Sequence, residues 1–133
     1  MKNKEYAFKL TYLNYSFALS LSSKYCLKYK LNEVTTAIDG TVGIFCFRSL
    51  KDVKHFTPKL EFDRGYILYL VEGYTKKKVP ELISFADSWN IEYFYRNNKK
   101  GDAKIPHGTV CYKSVIPIRK ITQEEFDKGE LID

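Results

Sequence analysis

The sequence predicts an α+β domain, one mostly antiparallel and strongly curved β-sheet carrying two or three short helices. Three observations predict it. Apolar and polar residues alternate with period two through much of the chain. Helical spacing is confined to a few short stretches, each opened by Ser, Thr or Pro. No repeat, Ser/Gly linker or low-complexity block divides the 133 residues, so a single domain over 1–133 is expected.

The elements follow in order. Tyr6, Phe8, Leu10 and Tyr12 fall on one face of an opening strand, with Lys9 and Thr11 on the other. Asn14-Tyr15 makes a turn, and alternation resumes over 17–22 and again over 25–31. Strands over 34–38 and 42–47 flank Asp39-Gly40, a hairpin signal because Gly accepts the positive φ such turns require. Ser49 is the N-cap of a helix over 50–56 that Pro58 closes. Gly65 precedes a strand over 66–74, and Lys76-Lys77-Lys78 forms a basic connection. Pro80 opens a helix through Ala86, where its missing N–H costs nothing. A strand is expected over 91–96, a polar loop over 97–108 and a long strand over 109–121. Pro117 puts that last strand at an edge or gives it a bulge. Thr122 and Glu125 form a capping box that starts a short acidic helix within 122–133.

Charge narrows the function classes. The chain has 22 Lys plus Arg against 16 Asp plus Glu, net +6. Residues 122–133 carry −4, which leaves +10 on the other 121. A basic body attracts polyanions through a field that salt screens. No run of about 18 apolar residues exists, so a membrane partner is not expected. The chain starts with basic residues, as signal peptides do. Lys9 and Tyr12 interrupt its apolar stretch and no small-residue cleavage site follows, so a cytoplasmic location is expected. Cys26, Cys46 and Cys111 are widely spaced, each in an apolar strand-like run, with no CxxC pair. They read as buried free thiols in a reducing compartment; neither a metal nor a cofactor is expected.

The aromatic load is the most distinctive feature: 11 Tyr, 9 Phe and 1 Trp. Tyr93, Phe94, Tyr95 and Tyr112 interleave with Arg96, Lys99, Lys100, Lys104 and Lys113, and seven bases stand against Asp102 alone over 96–120. Aromatic platforms stack bases while Lys and Arg meet phosphates, the chemistry of sequence-tolerant nucleotide and single-strand recognition. The expected ligand-binding set is therefore Tyr93, Tyr95, Arg96, Lys99, Lys100, Tyr112, Lys113 and Arg119. The plainer reading of the same residues is ordinary strand material beside a solvated loop.

Both histidines sit in H-x-T tripeptides, His55-Phe56-Thr57 and His107-Gly108-Thr109. The pair resembles the two H-x-[ST] motifs of the 2H phosphoesterase superfamily. That resemblance implies general-base and general-acid roles for His55 and His107 on a phosphodiester, with Thr57 and Thr109 holding the phosphate. It covers six residues. In the family the motifs lie on two strands of repeated lobes, whereas here one His is expected on a helix and the other in a turn. Other catalytic templates fail: Asp39-Gly40-Thr41-Val42-Gly43 lacks the P-loop Lys-Ser/Thr, and no cysteine–histidine pair is locally activated.

The leading expectation is a small, non-enzymatic, cytoplasmic binding protein whose basic, aromatic surface holds an anionic ligand, a nucleotide or a nucleic acid. In size and charge it looks like the accessory proteins of phages and mobile elements, some of which sequester nucleotide signals or block nucleic-acid effectors of host defence. The alternatives are a 2H-like phosphodiesterase, a protein–protein inhibitor of a host protein with a tyrosine hot spot, and a structural component. A homo-oligomer is compatible with each. The acidic last helix is also a candidate competitor for the basic face.

Overall fold

In the computed structural model, residues 4–16, 26–38, 43–79, 82–83 and 103–132 are described. Strand β1 (Lys4–Tyr12) turns through Leu13 and Asn14 into β2 (Tyr15–Ser16). Further along come β3 (Thr35–Thr36), β4 (Ile44–Phe47), α1 (Leu50–Phe56) and a 3-10 turn (Phe62–Arg64). Strand β5 (Tyr66–Lys77) is followed by the short pair β6 (Leu82–Ile83) and β7 (Ala103–Lys104). The chain ends with β8 (Thr109–Lys120) and α2 (Gln123–Lys128).

Every pairing among the described residues is antiparallel, and the main sheet curves until it meets itself. β1 pairs with β5 over its whole length, β5 with β8, β8 with β4, and β4 returns to β1 through Phe8 and Phe47. This ring encloses a first core built from Ala7, Ile44, Cys46, Tyr69, Val71, Val110, Tyr112 and Val115, with Tyr29 and Ala37 packed among them. The opposite face of β1 and β5 carries Phe8, Leu10 and Leu68, which meet Leu50 and Val53 of α1, Phe126 of α2, Leu60 and Ile121 in a second core. Both faces of β1 and β5 are therefore buried.

Local signals account for the helices. Ser49 caps α1, its hydroxyl accepting from the Asp52 N–H, and Thr122 with Glu125 makes the capping box of α2. Pro117 sits at a bulge: Leu70 faces Arg119 while Val71 faces Pro117, so Ile118 is an extra residue on β8. A bulge increases local twist, which suits a sheet that must close.

Several expectations are corrected. β3 and β4 are not the arms of a hairpin across Asp39-Gly40. They pair in succession with one edge of β8, Thr35–Thr36 with Val115 and Ser114 and then Ile44–Phe47 with Tyr112 through Thr109. The twelve residues of β8 are long enough to take both, and the Ala37 N–H continues the track to the Lys113 carbonyl. The described part of 25–31 has one β-bridge, Tyr15 to Lys28, and forms no strand. Leu82 and Ile83, expected in a helix, form a strand because their backbone pairs with Lys104 and Ala103. The same pairing puts a strand inside the expected polar loop. The strands expected over 17–22 and 91–96 lie outside the described residues.

Candidate nucleotide or nucleic-acid interface

The expected ligand-binding residues divide three ways. Tyr93, Tyr95, Arg96, Lys99 and Lys100 lie outside the described residues. Tyr112 is 1% exposed; its ring fills the barrel over Gly73, and its hydroxyl donates to Glu5 Oε1 at 2.7 Å. It offers no ring face to a base. The reason is packing: Gly73 has no side chain, so the ring occupies that space, and a Cβ at Gly73 would lie 2.6 Å from it. Burial and the Glu5 hydrogen bond both push the phenol upward, so it stays protonated.

Arg119 is engaged elsewhere. Its guanidinium donates to both oxygens of Glu125, at 2.9 and 2.8 Å, in the fork geometry that Arg and a carboxylate share. Glu125 is 1% exposed and accepts also from the Thr122 and Ile132 N–H groups. The Arg119 hydrogen bonds come first in holding its carboxyl far below the usual carboxylate range. One acid of the terminal helix thus occupies a base of the expected surface. Arg119 lies six residue steps along the strand from Lys113, about 20 Å at the usual rise, so the two do not converge.

Lys113 is exposed on β8. The β5–β8 register sets Lys76 opposite Tyr112 and Lys77 opposite Cys111. Lys77 and Lys113 therefore fall on one face at this end of the sheet, and Lys76, opposite Tyr112, on the other. Lys76 is partly neutralised by Glu5 at 3.5 Å, whereas Lys78 and Lys113 have no ion-pair partner among the described residues. The sequence reading left Lys76, Lys77 and Lys78 as a solvated connection. Only the register, pairing residues some 35 positions apart, brings Lys76 and Lys77 against the strand that carries Lys113.

The two H-x-T tripeptides take the positions expected from sequence, a helix and a turn. His55 is exposed on α1, with no hydrogen bond or ion pair among the described residues. His107 lies in the turn before β8, 77% exposed, with Nε2 3.8 Å from Asp52 Oδ1. Asp52 also accepts from the Ser49 hydroxyl at 2.8 Å. Gly108 packs so closely on that carboxyl that a Cβ would lie 2.1 Å from it. The Thr109 hydroxyl donates to the Pro106 carbonyl at 2.5 Å, and Thr57 caps the end of α1. The imidazoles thus stand on a helix and a turn, without the paired strands of the 2H family.

The three cysteines are free thiols, Cys46 and Cys111 buried and Cys26 half-buried. Burial pushes Cys46 up to about 11 and Cys111 up to about 12. Among the described residues, no three His, Cys, Asp or Glu side chains are grouped to hold a metal, and no helix is long and apolar enough to cross a membrane. An open cleft of about 670 Å³ between residues 58–63 and α2 sets Glu61, Asp63 and Asp127 against Lys59, a net negative lining and the wrong sign for an anion. Comparison with protein-family models, curated proteins and solved structures finds no match for this chain.

Proposed function

We propose that this chain is a small non-enzymatic binding protein for an anionic ligand, a nucleotide or nucleic acid, held at the lysine-rich corner where β5 meets β8. The observation that carries the reading is the register that sets Lys77 opposite Cys111, on the face of β8 that carries Lys113, with Lys78 next along the chain. Lys is a flexible point charge, suited to phosphates met in varied geometry. A role as a phage or mobile-element accessory protein in the cytoplasm, sequestering a nucleotide signal or blocking a nucleic-acid effector, is supported by size and charge.

The test is a thermal-shift screen against mono-, di- and cyclic nucleotides and short single strands at low salt. A ligand at a hundred times its Kd stabilises by about 2.7 kcal/mol and moves the melting point by several degrees. Binding should fall on Lys78→Glu with Lys113→Glu. For a single strand meeting about three phosphates, affinity should drop on the order of tenfold to twentyfold between about 50 and 200 mM salt. A flat screen, or binding indifferent to both substitutions, would transfer the reading to a protein partner.

A further inference from the structure

Lys9 points into the barrel and is 8% exposed. Its Nζ donates to the Phe45 carbonyl at 2.7 Å and stands 5.4 Å from the centroid of the Tyr29 ring. No carboxylate pairs with it among the described residues. An ammonium has three N–H donors, so one acceptor leaves two unpaired in a medium that solvates charge poorly. Burial accordingly lowers the affinity of this amine for its proton. A neutral amine has a lone pair and is a nucleophile.

Cys46 is the neighbour. Phe8 pairs with Phe47, and Lys9 and Cys46 are the residues next to this pair on the two strands of the β1–β4 seam. Both side chains are on the buried inner side, Cys46 being 2% exposed. Lys9 Nζ is bonded to the carbonyl of the residue immediately before Cys46.

We propose that Lys9 and Cys46 are an oxidant-dependent modification site, closing a sulfenamide bond from Sγ to Nζ across the β1–β4 seam with a peroxide as the oxidant. The Cys46 sulfur attacks one oxygen of hydrogen peroxide while its thiol proton moves to the departing oxygen. The O–O bond breaks, one water leaves, and Cys46 becomes a sulfenic acid. The neutral Lys9 amine then attacks that sulfur, the S–O bond breaks, and the departing hydroxide removes an N–H proton as a second water. Sulfur is oxidised by two electrons and one peroxide is reduced to two waters. Sulfenic acids condense with nitrogen in this way, and two equivalents of a small thiol reverse the bond. The bond would tie β1 to β4 where one backbone pair joins them.

The experiment is peptide mapping of the full chain after hydrogen peroxide treatment. The expected product is lighter than the reduced protein by about 2 Da, two hydrogens. Trypsin no longer cuts after Lys9, and peptide 5–24 is found joined to peptide 31–48. Dithiothreitol restores both peptides, and Cys46→Ala abolishes the joined species. Oxygen added to Cys46 with Lys9 still cleavable would overturn the proposal. So would a disulfide from Cys46 to Cys26 or Cys111, or a Cys46 that stays reduced at every peroxide concentration.

Discussion

The two faces of β1 bury different chemistry. Toward the helices stand Phe8 and Leu10, packed on Leu50, Val53, Leu68 and Phe126. Toward the barrel interior stand Ala7, Lys9 and Thr11, among Tyr69, Tyr112 and Cys46. Each region also holds a buried ionisable group, and these differ most. Glu125, between the helix layer and β8, accepts from Arg119, Thr122 and Ile132, so its charge is fully solvated by protein. Among the described residues Lys9 has one hydrogen bond and no counterion. Burial of a charge is tolerated where partners replace water, and otherwise the group gives up the charge. Acid and base have thus reached opposite states: Glu125 is held ionised, Lys9 is pressed toward neutrality.

The largest expected effect lies in the apolar layer. Phe126 is fully buried against Phe62, so Phe126→Ala should cost about 3–5 kcal/mol of unfolding free energy by urea titration. A loss below about 1 kcal/mol would mean the helix layer is dispensable to the barrel. Next, Glu125→Gln should cost about 2–3 kcal/mol at neutral pH, the scale of hydrogen bonds to a charged group. The pH dependence has a definite sign. A carboxyl whose folded pKa is depressed adds stability above its ordinary value of 4.5, and loses it as pH falls through the folded value. The gap between wild type and Glu125→Gln should therefore shrink steadily as pH falls from 4.5 toward the folded value. A gap constant down to strongly acidic pH would show that packing, not charge, makes Glu125 matter.

Inside the barrel, Gly73→Ala should cost about 1–3 kcal/mol, because its Cβ meets the Tyr112 ring. Combined with Tyr112→Leu, the two losses should be clearly less than additive in a double-mutant cycle; additivity would place the strain elsewhere. The smallest effect sharpens the comparison most. Lys9→Met keeps the shape and removes an amine that is poorly satisfied, so stability at neutral pH should hold within about 1 kcal/mol or rise. A lysine with a depressed folded pKa costs stability below its ordinary value of 10.5, and the cost fades as pH rises toward it. The advantage of Met should thus narrow in mildly alkaline buffer. A loss of several kcal/mol would make Lys9 a satisfied structural group like Glu125.

Much of the framework was legible in the sequence. Helix α1 with its Ser49 cap, the Thr122–Glu125 capping box, the long strands after Gly65 and Gly108, and the irregularity at Pro117 stand as read. Each depends on contacts within a few residues. The candidate site was less legible. Tyr112 was read as a stacking platform from its place among lysines, yet alternation could not say which face of β8 would close inward. Arg119 was read as a free base, although its partner Glu125 stood six residues away in the capping box already identified. Lys76, Lys77 and Lys78 were read as a solvated basic connection, because the pairing of Lys76 and Lys77 with β8 depends on register.

By itself the sequence determined the local chemistry: an antiparallel α+β domain, its caps and turns, a basic body, and thiols suited to burial. The tertiary structure alone decided which face of each strand is the inside. Period-two alternation put Lys9 and Thr11 opposite Phe8 and Leu10, as on a sheet with one wet side. Closure of the ring and the helices over its outer face buried both. The physical reason is range. Caps and bulges act over a few residues, whereas closure rests on pairs such as Lys4 with Tyr74 and Tyr69 with Lys120, far apart along the chain.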